Sequence, residues 1–131
     1  MDWNRMRFLI NRLPAAKFRV MKAKAFAARV TAPITGMPGG MGEGDPVSRG
    51  VEAVERARQQ YRALCDELAA LREQAAPLIA SLPSALERDA MRLRYLEGLS
   101  ALEVSFRLNY SVQHIFRILA RAEDKLSQGG G

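Results

Sequence analysis

The chain has one cysteine, Cys65, and one histidine, His114. A lone thiol forms no internal disulfide, and this pair cannot supply the Cys/His set of an ordinary zinc site. No glycine-rich phosphate loop is present, and no nucleophile stands at a recognisable spacing from a base. An enzyme and a cofactor are therefore not expected. Cys65 lies between Leu64 and Leu68 on an apolar stripe and reads as a half-buried structural thiol. Long apolar runs are also missing: none approaches the ~18–20 residues that span a bilayer. The first residues lack the unbroken apolar stretch of a secretory signal. No membrane association is expected, and a reducing cytoplasm is the expected compartment.

Acidic residues are scarce in the first thirty positions. Residues 1–30 hold eight cations (Arg5, Arg7, Arg12, Lys17, Arg19, Lys22, Lys24, Arg29) against Asp2, so this segment carries 8 − 1 = +7. The remaining residues hold 12 basic and 13 acidic side chains, or −1, within a chain of formal net charge +6. A basic arm on a near-neutral body points to an acidic partner, most often nucleic acid. The arm reads as a helix that Pro14 should end or kink near Leu13. Beyond it, Phe18, Met21, Ala25 and Ala28 recur at helical spacing as a narrow apolar stripe. Around that stripe stand Lys17, Arg19, Lys22, Lys24 and Arg29, the candidates for non-specific phosphate contacts. A basic amphipathic helix of this kind can face nucleic acid, pack on another helix or lie on a membrane.

Residues 31–48 contain five glycines and three prolines and read as a linker. Ser48 is the candidate cap of the helix that follows. Over residues 49–82, Val54, Ala57, Tyr61, Leu64, Leu68, Leu71, Ala75, Leu78 and Leu82 alternate spacings of 3 and 4, a heptad stripe. Pro77 predicts a kink or an end near residues 73–76. A long helix with one apolar seam needs a partner, either the N-terminal helix folded back as a hairpin or a second copy of the chain.

Residues 83–127 carry two successive capping-box patterns, Ser84 with Glu87 and Ser100 with Glu103. The first opens a helix through Leu86, Ala90, Leu93 and Leu96, with Gly98 as its stop. The second opens a short helix ending near Leu108, where Asn109 can take the left-handed conformation. Ser111 then caps a third helix to about Leu126. Its expected inner face is Val112, Ile115, Leu119, Ala122 and Leu126, broadened by Phe116 and Ile118. Residues 128–131 form a glycine-rich tail expected to be disordered. This order matches the trihelical helix-turn-helix, in which the third helix enters the major groove. On its outer side stand Gln113, His114, Arg117 and Arg121, donors suited to base edges. Ser111, with the amides at the helix start, can hold a phosphate.

The stretch "LRYLEGLSALEVSFRLNYS", followed by "RILARAEDKL", resembles region 4 of bacterial sigma factors. With "TGMPGG" ahead of a long helix, the chain resembles small phage transcriptional regulators of the ArpU and RinA types. The resemblance implies that Ser111, Val112, Gln113, His114 and Arg117 meet promoter DNA, that RNA polymerase is a partner, and that a bacterial host cell is the setting. Two positions depart from it: Phe106 replaces a small residue and Phe116 a polar one. Residues 83–126 carry seven basic and six acidic residues, and a net +1 leaves little attraction for phosphate.

The sequence thus predicts an all-α protein. Its parts are a basic arm over 1–30, a linker over 31–48, a long helix over 49–82 and a helix-turn-helix over 83–127. The leading expectation is a phage regulator of double-stranded DNA that contacts RNA polymerase and can dimerise through residues 49–82. Two alternatives stand beside it: a DNA-packaging oligomer like a small terminase subunit, and a helical protein-interaction module with no DNA role.

Overall fold

The computed structural model describes residues 1–31 and 46–129, and every regular element among them is helical. They are α1 (Trp3–Thr31), α2 (Pro46–Ala80), α3 (Ala85–Met91), a π-helical continuation (Arg92–Leu96), α4 (Ala101–Leu108) and α5 (Val112–Gly129). Most of the expected linker lies outside the described residues. Among the described residues, no helix is long and apolar enough to cross a membrane.

Pro14 and Pro77 both sit within continuous helices. α1 runs through Pro14 and α2 through Pro77, where an end or kink was expected. A proline deletes one backbone bond and crowds the preceding turn. In α1 the side chains on either side of it, Ile10 and Ala16, are buried, so tertiary burial on both sides outweighs that local loss. α2 starts at Pro46 rather than near residue 49, with proline in the first helical position, where its missing N–H has no intrahelical partner to lose. Ser48 consequently lies inside the helix and does not cap it.

The chain divides into two compact units: Met1–Ile10 with Glu67–Gly131, and Asn11–Asp66. In the second, Ala16, Val54 and Ala57 are buried, and Val20, Ala23, Ala27 and Val30 are half-buried. Gly50 lies with its Cα side against Ala27 and Val30; a methyl group there would come within 3.2 Å of both. The stripe singled out by spacing, Phe18, Met21, Ala25 and Ala28, is exposed instead. The packed row, Ala16, Val20, Ala23, Ala27 and Val30, has the same 3/4 spacing on the opposite side of α1. Alanines on both sides make the two faces nearly equal by pattern, so periodicity did not separate them.

In the first unit the buried side chains come from all the helices. They include Trp3, Met6 and Leu9 of α1, Leu68, Ala75 and Ile79 of α2, Ala90 and Met91 of α3, and Val104 of α4. From α5 come Ile115, Ile118, Leu119 and Ala122. Each large side chain removed from water contributes about 1.5–3 kcal/mol. The heptad seam of α2 is thus largely covered within a single chain. Its register shifts near Pro77: Ile79 is buried, and the expected Leu78 is half-buried.

Candidate nucleic-acid interface

Three local devices shape the C-terminal trihelical segment. The first is the widening of the first helix, whose last turn is π-helical, with the Glu97 amide donating to Arg92 O at 3.0 Å. The wider turn directs three consecutive residues inward, Leu93, Arg94 and Tyr95. Gly98 then reverses the chain at φ +76°, and the Leu99 amide closes on Leu93 O at 3.0 Å. The second is the complete capping box of α4, in which the Glu103 amide donates to Ser100 Oγ (3.1 Å) and the Ser100 amide to Glu103 Oε1 (3.2 Å). The third is the turn between α4 and α5. Asn109 adopts the left-handed conformation (φ 60°, ψ 43°), and the Tyr110 amide donates to Ser105 O at 3.1 Å. Ser111 caps α5 by accepting from the His114 amide at 3.2 Å.

The first capping box is only half made. Ser84 Oγ accepts from the Glu87 amide, but the Glu87 carboxylate accepts from Lys125 Nζ on α5 at 2.8 and 3.0 Å. Glu87 is buried, so its charge is matched by a lysine from the far end of the unit rather than by its local backbone.

Among the residues expected to read DNA, Gln113, Arg117 and Arg121 are exposed and follow one another at i, i+4 and i+8 along α5. Ile115, Ile118, Leu119 and Ala122 occupy the opposite, buried side. His114 is half-buried, its ring 4.9 Å from that of Tyr110, while Val112 is half-buried and Ser111 exposed. The structure corrects one assignment: Phe116, expected on the inner face, is 58% exposed. Phe106 is 74% exposed, so its bulk does not enter the helix packing. The hydroxyl of Ser105 beside it is turned back to Leu102 O at 2.6 Å.

The arginines of this unit fall into two sets. Arg5 makes a two-pronged pair with Glu67 (2.5 and 2.7 Å). Arg7 binds Glu123 (2.6 Å), Tyr95 Oη (2.5 Å) and Asn4. Arg72 Nε donates to Tyr95 O (2.8 Å), Arg88 to Leu82 O (2.6 Å) and Arg94 to Leu99 O (3.1 Å), and Arg92 pairs with Glu97 (2.7 Å). Arg107, Arg117 and Arg121 are exposed and make no ion pair or hydrogen bond among the described residues. The arginines of this unit without such a partner thus lie on α4 and α5.

Sequence reasoning missed the network around Tyr95. The phenol is fully buried, packs 4.9 Å from the Trp3 ring and stands between Arg7 and Glu123. Burial, reinforced by Glu123, pushes its pKa up to about 12. Burial also lowers the Arg94 guanidinium, while Glu123 and Tyr95 outweigh desolvation and raise Arg7. Arg7 lies 88 residues from Tyr95 and 116 from Glu123, distances that no local pattern records. Two of the arm's cations, Arg5 and Arg7, are therefore engaged in internal pairs, although composition alone assigned them to an external partner.

Lys17, Arg19, Lys22, Lys24 and Arg29 are exposed on α1, with Lys22 lying 5.6 Å over the Phe18 ring. Among the described residues there is no group of three or more His, Cys, Asp or Glu side chains able to hold a metal ion. No protein-family model, curated protein or solved structure matches the chain.

Proposed function

We propose that the chain is a sequence-reading, duplex-DNA-binding transcriptional regulator of the small phage type, with α4 and α5 as its helix-turn-helix. The observation that carries this reading is the row Gln113, Arg117 and Arg121. It is exposed along α5 and free of partners among the described residues, on a helix held by a capped, left-handed turn. Gln and Arg offer paired donors to base edges, and a rigid mount keeps the geometry that such pairing needs. Arg107, Arg19, Lys22 and Arg29 supply phosphate attraction. Leu102 and Phe106, exposed one turn apart on α4, offer apolar surface to a protein partner such as RNA polymerase. In this reading α1 and α2 form a helical hairpin.

The test starts from a site selected out of a random duplex pool by the full chain. Gln113→Ala with Arg117→Ala is expected to lower the ratio of specific to non-specific affinity by more than tenfold, since each base contact contributes about 1–3 kcal/mol. Helical circular dichroism should be unchanged, because neither side chain is buried. Full specificity in the folded double variant would rule out α5 as the reading element.

A further inference from the structure

Within the unit Asn11–Asp66, an open groove of about 460 Å³ runs beside α1 and α2. Its apolar lining comes from Met21, which is exposed, and from Val20, Tyr61 and Cys65, which are half-buried. Lys17, Lys24, Arg58 and Arg62 stand along it, and no carboxylate is among its lining residues. Met21 is 58% exposed and Phe18, on the same helix, 59%. Exposed apolar side chains between cations give a partner of opposite charge both a surface to cover and charges to pair.

We propose that this groove is a docking site for an acidic amphipathic helix of a partner protein, separate from the DNA-reading face. Three features select that occupant. The groove is concave and two α-turns long, since Lys17 and Lys24 are seven residues or ~10 Å apart along α1. That shape takes a rod carrying a row of apolar side chains and does not match a flat bilayer. The floor is apolar, and duplex DNA offers nothing to cover Met21. Lys17, Lys24 and Arg62 give the rim a net positive charge, while Arg58 is paired with Glu55 at 3.7 Å; a second copy of this groove is repelled, and glutamates flanking an apolar stripe complement it.

The experiment uses the full chain and a fluorescent synthetic helix of about 18 residues, with leucines at i, i+3, i+4 and i+7 flanked by glutamates, followed by anisotropy. Binding that weakens as salt rises is expected. Lys17→Gln with Arg62→Gln should reduce it roughly tenfold, and Met21→Ser, which leaves the charge intact, about fivefold. All three positions are exposed, so the fold is retained, and circular dichroism checks it. The proposal is overturned if the peptide does not bind, or if either variant binds it as well as the parent. It is equally overturned if duplex DNA or anionic phosphatidylglycerol vesicles displace the peptide at lower concentration than unlabelled peptide does. A dimer by light scattering that dissociates in Lys17→Gln/Arg62→Gln would assign the groove to a second copy instead. Gln113→Ala/Arg117→Ala should leave peptide binding unchanged, so failure of the DNA reading and failure of this one are distinguishable.

Discussion

Replacing Tyr95 by Phe removes one oxygen atom from the larger unit and leaves the ring in its tilted contact with Trp3. Arg7 then loses its 2.5 Å bond to the phenol but keeps Glu123 at 2.6 Å and Asn4. A hydrogen bond to a charged donor contributes about 1.5–3 kcal/mol. Because the ion pair remains, the lower part of that range applies, so the variant should lose about 1.5–2 kcal/mol at neutral pH. That corresponds to roughly 3–8 °C in Tm for a chain of this size.

The same substitution has a second signature at alkaline pH. Burial raises the Tyr95 pKa from 10 to about 12 in the folded protein. The unfolded chain therefore releases this proton first, and the stability tied to the neutral phenol is complete below pH 10 and lost as pH rises towards 12. A tenfold change in a proton equilibrium corresponds to about 1.4 kcal/mol, so the whole rise represents about 3 kcal/mol. Phenylalanine has no proton to lose, so the deficit of the variant should shrink by roughly 1 kcal/mol between about pH 9 and pH 11. Tyr61, raised by its hydrogen bond with Cys65, titrates alike in both proteins and cancels in the difference. Urea unfolding at several pH values measures both effects, read from Trp3, which is buried and the chain's only tryptophan. Equal stability at neutral pH together with parallel alkaline slopes would refute the role given to this network.

Two further substitutions probe the devices that shape the trihelical segment. Gly98→Ala places a methyl group at φ +76°, 3.1 Å from Nη2 of Arg72, whose Nε holds Tyr95 O. It should cost about 1–2 kcal/mol in a thermal melt, and an unchanged Tm would show that the left-handed turn is dispensable. Lys125→Met keeps the side-chain stem but leaves the buried Glu87 carboxylate without its partner. The expected loss is about 1–2 kcal/mol, held below the fully buried range by the 44% exposure of Lys125. The double variant with Glu87→Gln should recover most of it in denaturant titrations; additive losses would mean that the two groups do not interact.

The elements with local causes were the legible ones. Ser100 with Glu103, Asn109 at a left-handed turn, Ser111 as a cap and Gly98 as a stop each act within a few residues of the backbone they satisfy. The buried α2 stripe was legible for a similar reason, since leucines at strict 3/4 spacing leave one face to bury. Gln113, Arg117 and Arg121 were placed outward by the inward period of Ile115, Leu119 and Ala122. Failures came where two local solutions were nearly equal or where the partner was remote. The alanine-rich α1 has two candidate faces, and the one bearing larger side chains stays exposed. Glu87 answers Lys125 across the unit instead of Ser84 one turn away, and Phe116 stays outside although its neighbours pack.

By itself, then, the sequence determined helix identity, the Ser100 and Ser111 caps, the turn between α4 and α5, and the outward placement of Gln113, Arg117 and Arg121, because these follow from short-range hydrogen bonding and from period. Tertiary structure alone decided the destination of the charges. It tied Arg5 and Arg7 to Glu67 and Glu123, buried Tyr95 beside Arg7 and Glu123, and left Arg107, Arg117 and Arg121 without partners among the described residues. Charge is non-directional in sequence, and only a fold that brings residues 7, 95 and 123 within bonding distance distinguishes a cation that holds the protein together from one left for a partner.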